Sequence, residues 1–406
     1  MDLIDGIYIV FFTLMVFSSA LWLIVYYSNL NKVVKDPEPN VEKSITVIVP
    51  AYNEENCVRK CIEALLNQDY PRDKYSIIAV NDGSEDSTLE ILKEFEDEIK
   101  IIDKENTGKA DSMNQALKHV DTELVSSMDA DSIPSPTYLK TMVGYFNDEE
   151  VYGVTPALKL TRDDNLVEKI QWTEYIYQIF LRKVFAFFDV QYVLPGPGSL
   201  YRADFLKETG GWRTDTHTED MEVAFRMMSD GKKIENSTNA EVFTDPPSTF
   251  KALFKQRIRW YKGYLENFFG YRDMFFNPKG GNLGMFLLPL NVLWIIMLLF
   301  ILTHVTYNIV STVSSAVSTV ILLGYYPLDL TLSLTRLHLF HVFILFFLTI
   351  GISTMLLSLF SANEDIKVIN KKVNYLTFFV IYPYLFAMFW AATVVDIIVN
   401  KEGITW

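Results

Sequence analysis

The chain has 406 residues, half of them hydrophobic, and a formal net charge of −14. An acidic surface of this kind excludes a nucleic-acid binder, because neutralising phosphates needs a basic face. The length and apolar content fit either two soluble domains or one soluble domain with a membrane part.

Position along the chain decides for the second. Residues 7–27 form an almost unbroken apolar run, long enough to cross a bilayer. Asp2 and Asp5 precede it where a secretory leader would carry Lys or Arg, and the run exceeds a leader's apolar core, so a retained anchor is expected. Lys32, Lys35 and Lys43 follow, which places the N-terminus outside and the next segment in the cytoplasm. From Ser44 the pattern becomes that of a globular α/β domain. Short β-branched runs at 45–49, 75–80, 101–102 and 124–128 read as buried strands. Helical patterns separate them, up to Asn67, over 85–95 and from Thr107 to His119. Such alternation predicts a parallel sheet flanked by helices, with ligands beyond the carboxyl ends of the strands. Cys57 and Cys61 lie one helical turn apart without a second ligand pair, and the five histidines are scattered; reduced thiols and no zinc site are expected.

Polar clusters follow three strand ends: Asn53 and Glu54, Asp82, and Asp129-Ala130-Asp131. They are expected to converge on one crevice. Alternation along a strand would point Asp129 and Asp131 the same way, and hard oxygen ligands suit Mg²⁺ or Mn²⁺. Alone, the triplet fits a solvated turn equally well. With Asp82 on a neighbouring strand, three carboxylates need a cation or a hydrogen-bonding ligand to offset their repulsion.

Further on, Pro195 to Arg202 has the composition of a rigid, close-approach loop. Thr218-Glu219-Asp220 opens a helical pattern, with Thr218 placed to cap it, and a capping acidic cluster is one adequate reading. The stretch 250–269 is helical and aromatic, and spacing lets Gln256, Arg259 and Trp260 project together; a helix resting on a membrane surface carries such residues too. Apolar runs return near 285–307, 337–360 and 374–399, with a weaker Ser/Thr-containing run at 313–326. Four crossings in all would put the C-terminus outside and five inside. Lys367, Lys371 and Lys372 favour four. Asn291, His304 and Asn308 are costly in lipid and are expected to line a polar path.

The ordered set Val49-Pro50-Ala51-Tyr52-Asn53-Glu54, Asn81-Asp82-Gly83-Ser84, Gly108-Lys109-Ala110, Asp129-Ala130-Asp131, Thr218-Glu219-Asp220 and Gln256-Arg257-Ile258-Arg259-Trp260 precedes the main membrane part. It resembles the membrane-embedded family 2 glycosyltransferases that polymerise sugars, such as the synthases of poly-N-acetylglucosamine, hyaluronan, chitin and cellulose. Gln171-Trp172-Thr173-Glu174-Tyr175 is similar to the poly-N-acetylglucosamine branch, whereas Thr155 to Lys159 departs from it. The resemblance implies a GT-A type domain, Rossmann-like and mostly parallel, joined to an α-helical transmembrane bundle. It implies that Ala51, Tyr52, Glu54 and Asp82 hold the nucleoside, with Lys109 nearby. Asp129 would touch the nucleotide and share with Asp131 the binding of Mg²⁺ or Mn²⁺. Asp220 would be the general base, beside Glu219, since the other carboxylates are committed. Gln256 and Arg259 would contact acceptor and diphosphate, and Trp260 would stack under the terminal sugar. The related synthases keep their C-terminal tail in the cytoplasm, which suits five crossings.

The expected organisation is a first membrane helix (1–30), a GT-A domain (41–247), an interfacial region (248–282) and three or four membrane helices (283–400). The expected function is inverting, processive synthesis and translocation of a polysaccharide from a UDP-sugar, UDP-N-acetylglucosamine foremost. The partners are then the nucleotide sugar, the growing polysaccharide and the bilayer, with room for an accessory membrane subunit and no nucleic acid. The rivals are single transfer to a polyprenyl-phosphate, diacylglycerol or ceramide-type lipid, and a non-catalytic scaffold or receptor.

Overall fold

The computed structural model describes residues 3–325, 339–364 and 371–400; Lys367 lies outside them. After the membrane helix α1 (Leu3–Ser28) and the short α2 (Leu30–Val34), the chain enters a layered α/β domain. Strands β1 (Ile45–Ala51), β2 (Tyr75–Asp82), β3 (Lys100–Lys104) and β4 (Leu124–Ser127) alternate with helices α3 (Val58–Leu66), α4 (Thr88–Lys93) and α5 (Lys109–Leu117). Every residue of β1 is buried, because helices cover both faces of a parallel sheet. Val47 and Val49 enter the core on one face and Ile48 the core on the other, as strand alternation requires. Cys61 is fully buried among the first set.

Four more strands widen the sheet: β5 (Ile133–Pro134), β6 (Val151–Leu160), β7 (Ser199–Arg202) and β8 (Lys233–Thr244). The order is β3-β2-β1-β4-β7-β6-β8-β5, with β7 antiparallel to both its neighbours and β5 antiparallel to β8. Between these strands run α6 (Tyr138–Val143), α7 (Leu166–Phe187), α8 (Ala203–Glu208) and α9 (Glu219–Ser229). α7 starts at a capping box: Asn165 Oδ1 accepts from Glu168 N at 3.0 Å, and Glu168 Oε2 accepts from Asn165 N at 3.2 Å. α10 (Phe250–Gly270) follows, with its C-terminal end anchored on the α/β domain. Thr249 caps the start, and Tyr271, just past the end, donates to Glu222 at 2.7 Å.

The remaining helices are α11 (Leu288–Leu323), α12 (Leu339–Ser361) and α13 (Lys372–Asn400). Three helices among the described residues are long and apolar enough to cross a membrane: Gly6–Ser28, Leu283–Leu323 and Val373–Val399. Residues 313–323 of the weak run do not form a crossing of their own, and Tyr326 lies outside the described residues. They continue α11 within an apolar helix of 41 residues, about 60 Å long against a hydrocarbon core of about 30 Å. α13 has a crossing helix's length, yet its flanks are tied to the globular part. Lys371 pairs with Asp163 at 2.9 Å, Asn374 donates to the same carboxylate, and Asp396 pairs with Lys262 of α10.

Two of the three polar membrane residues do other work than expected. His304 joins Tyr8 of α1 and Asn308 (3.2 Å), fastening α11 to α1. Only Asn291 reaches the cavity described next.

Candidate active site

A cavity of about 900 Å³ opens between the carboxyl end of the sheet, α7, α9 and α10, and continues between α11, α12 and α13. Lys109, Asp129, Asp131, Glu219, Asp220, Gln256, Arg259 and Trp260 all line it. Ala51, Tyr52, Glu54 and Asp82 lie outside its wall, at the neighbouring strand ends.

Those strand ends are stitched together by the chain itself. Asn53 adopts φ +55° so that its N–H donates to Ser84 Oγ (3.1 Å) while its Oδ1 accepts from Glu85 N (2.8 Å). Asp82 accepts from the N–H groups of Thr107 and Gly108, both at 2.9 Å, and pairs with Lys104. Burial opposes its charge, but these partners hold its carboxyl below the usual range. Asp82 is therefore compensated within the fold, and the expected repulsion among three carboxylates does not include it. Glu54 takes its place: burial, Asp131 and Asp129 push it up to about 7.

Asp129 and Asp131 share the cavity for a reason other than strand alternation. β4 ends at Ser127, and both carboxylates sit in the turn beyond it. Burial and Asp129 push Asp131 up to about 6. Lys109, at the start of α5, reaches Asp129 Oδ1 at 2.6 Å and Glu219 Oε1 at 3.3 Å, linking the two acidic motifs. The 195–202 loop passes close above: a Cβ on Gly196 would lie 2.5 Å from Lys109 Nζ, so a larger residue there would displace that lysine. Asp245, directly after β8, also lines the cavity and raises Asp131 further. The strand-end rule that selects Asp82 and Asp129 also selects Asp245, once β8 is recognised as a strand.

Glu219 and Asp220 occupy the first turn of α9. Thr218 sits at the capping position, but its side chain makes no cap hydrogen bond. It faces α10 instead, where Asn267 Nδ2 donates to its Oγ1 at 3.4 Å. Burial opposes the charge on Glu219 while Lys109 holds its carboxyl below the usual range; burial and Glu219 push Asp220 up to about 6. One carboxylate is thus fixed as an anion and its neighbour kept ready to exchange a proton near neutrality.

Gly263 lets α10 approach this turn. A Cβ there would lie 2.1 Å from Thr218 Oγ1, whereas one on Gly270 meets open space. Gly263→Ala is therefore expected to cost about 1–3 kcal/mol by overpacking and to lower activity through the shifted α9 start. Gly270→Ala, measured beside it by thermal unfolding and turnover, should do neither.

On α10, Gln256, Arg259 and Trp260 face the cavity together, as spacing predicts. The sequence reading gave no role to Arg257, which is 1 % exposed. Its guanidinium donates to Glu174 Oε2 of α7 and Gln256 Oε1, both at 2.6 Å, and stacks 4.1 Å from the centre of the Trp260 ring. It covers one face of an indole that itself lines the cavity. The signal was its partner: Glu174 lies in the Gln171–Tyr175 segment. Glu174→Ala strands a buried cation and should destabilise the protein by about 3–5 kcal/mol, read as a lowered unfolding midpoint; an unchanged midpoint contradicts the pairing.

Comparison with known proteins follows the same residues. The family described as "Glycosyltransferase like family 2" matches residues 40–263. The poly-beta-1,6-N-acetyl-D-glucosamine synthase of Staphylococcus aureus (strain MSSA476) is 28 % identical over 306 residues, 71 % of this chain and 73 % of that protein. The synthase of the same name from Staphylococcus epidermidis is 28 % identical over 289 residues, 67 % of this chain and 68 % of its own. Among solved structures, the mannosyltransferase PcManGT from Pyrobaculum calidifontis, in complex with GDP-Man and Mn²⁺, superposes with a TM-score of 0.60 at 19 % identity. That match covers 98 % of this chain and 100 % of the other, so the fold is shared along the whole length.

Proposed function

This chain belongs to glycosyltransferase family 2, and from that premise we propose that it builds a polysaccharide by inverting transfer from UDP-N-acetylglucosamine. The carrying observation is one cavity that joins Asp129, Asp131 and Lys109 to Asp220 and then to Trp260. The activity of the staphylococcal relatives, synthesis of poly-beta-1,6-N-acetyl-D-glucosamine, supports the sugar and the polymer.

In this reading Ala51, Tyr52, Glu54 and Asp82 border the nucleoside, and Lys109 and Arg259 face the diphosphate. Asp131 and Asp129 fit a divalent cation, Mg²⁺ or Mn²⁺. Both are carboxylates, and Asp131 is already short of compensating charge. Among the described residues no third acidic, His or Cys ligand completes a cluster, which leaves positions for diphosphate oxygens and water. Such a cation supplies charge stabilisation to the departing diphosphate. Asp220 takes the proton of the attacking hydroxyl, Glu219 holds Lys109 in place, and Gln256 with Trp260 positions the acceptor sugar.

The sign of the pH dependence follows from Asp220. Ionised above about pH 6, it accepts a proton; protonated below, it does not. The value of kcat/KM should fall about tenfold per pH unit below that limb. A flat profile from pH 5 to 8 would remove Asp220 from the role.

A specific observation favours a second reading, single transfer to a lipid: between α11 and α12 the cavity wall is apolar, with Leu298, Leu302, Val305 and Leu348 along it. Purified full-length protein supplied in turn with radiolabelled UDP-N-acetylglucosamine, UDP-glucose and GDP-mannose tests the donor. Incorporation is expected from the first, and preference for GDP-mannose would overturn the assignment.

A further inference from the structure

The chain that leads into α9 is held from two sides. Upstream, α5 grips Trp212: Asn114 Nδ2 donates to its carbonyl at 2.7 Å, and Asn114 Oδ1 accepts from its N–H at 2.8 Å. Arg213, Thr214 and Asp215 then run exposed, with Arg213 paired to Asp215 inside the same stretch. The next three residues, Thr216, His217 and Thr218, meet one face of α10, on which Gly263, Glu266 and Asn267 share helical spacing. Glu266 Oε2 accepts from the His217 N–H at 3.0 Å and from Thr216 Oγ1 at 3.3 Å, and its Oε1 meets His217 Nδ1. The Glu266 side chain is largely buried and lies off the cavity wall, so it serves the protein's own turn rather than a ligand.

The same helix carries Gln256, Arg259 and Trp260 to the cavity. One element thus fixes both the acceptor-facing residues and the turn from which α9 departs with Asp220 in its first turn. We propose that Glu266 is a positioning residue for the transfer: it latches the Thr216–Thr218 turn to α10 and so sets Asp220 in a constant place relative to Gln256, Arg259 and Trp260. The proposal rests on the reading of Asp220 as the base. Glu266 supplies three contacts to the turn, and the bond from Asn267 to Thr218, at 3.4 Å, is too long to replace them. Without the latch the turn hangs between Trp212 and α9, and displacing a reacting group by about 1 Å costs roughly a hundredfold in rate.

Hydrogen exchange at the His217 amide, in the full chain in nanodiscs, reads the latch without any turnover. Glu266→Ala should speed that exchange about tenfold or more. Glu266→Gln keeps an oxygen that accepts the same N–H and should stay within about threefold of wild type. In transfer from radiolabelled UDP-N-acetylglucosamine, Glu266→Ala should lower kcat about ten- to a hundred-fold. Its donor KM should stay within about twofold of wild type, and Glu266→Gln should recover most of the rate. In the Asp220→Asn background, Glu266→Ala should cost no further factor, because it acts through Asp220. Wild-type exchange in Glu266→Ala, or a further loss of about tenfold in the Asp220→Asn background, overturns the proposal. Should Glu266→Ala fail to bind UDP, Glu266→Asp, one methylene short of the turn, replaces it, and wild-type exchange and kcat there overturn the proposal. No transfer by wild type, or normal turnover by Asp220→Asn, refutes the proposed function and leaves the latch to the exchange measurement. Unchanged exchange in Glu266→Ala beside normal transfer by wild type refutes the latch alone.

Discussion

Asp220→Asn is expected to lower turnover by roughly two to four orders of magnitude while leaving nucleotide-sugar binding within a few-fold. Asparagine keeps the shape and the hydrogen bond that Asp220 Oδ1 accepts from Met221 N at 2.8 Å, so the start of α9 should stay in place. What disappears is the capacity to take a proton. The neighbouring Glu219 is a poor substitute because Lys109, at 3.3 Å, lowers its basicity. Removing the Asp220 charge also takes away repulsion, so the variant should unfold at the same temperature as wild type or slightly higher. Isothermal titration with UDP-N-acetylglucosamine and a turnover assay separate the two effects. Near-normal turnover would sink the assignment.

Asp131→Ala should abolish the metal dependence of nucleotide binding, with a loss of about tenfold or more in the presence of Mn²⁺. The same variant should respond oppositely in metal-free buffer. Asp131 is destabilised there by burial and by Asp129, so alanine is expected to leave the unfolding midpoint unchanged or raise it. Wild type should gain stability when Mn²⁺ and UDP are added together, and the variant should not. Identical Mn²⁺ titrations of the two proteins would contradict the metal role.

The first half of the sheet was legible because β1, β2 and β4 are short, largely buried apolar runs; β3, read as buried too, is a partly exposed edge strand. β6 and β8 were not legible, since they bury Thr155, Lys159, Asn236 and Thr238, which break the apolar pattern. Each of those residues has a partner distant in sequence, as when Lys159 meets Glu364 at 3.0 Å. The break read into 313–326 has a local explanation. Ser318 and Thr319 donate back to the carbonyls of Ser314 and Ser315 at 2.9 and 2.8 Å, so their hydroxyls need no partner outside the helix. In the site, the order of short motifs sufficed to bring Lys109, Asp129, Asp131, Glu219, Asp220, Gln256, Arg259 and Trp260 to one cavity. Arg257 stayed hidden because an arginine on an aromatic helix reads as a surface residue. Only the packing of α7 against α10, which sets Glu174 beside Arg257 from 83 residues away, reveals its burial.

The central proposal is that this cavity repeats its transfer on a retained chain, with Trp260 holding the terminal sugar between additions. The most direct measurement is the size distribution of product made by the full-length protein from radiolabelled UDP-N-acetylglucosamine at limiting enzyme and low conversion. Long chains with few intermediates are predicted, shortening in Trp260→Ala while donor affinity holds. A single glycolipid band, unchanged in length by Trp260→Ala, would contradict it.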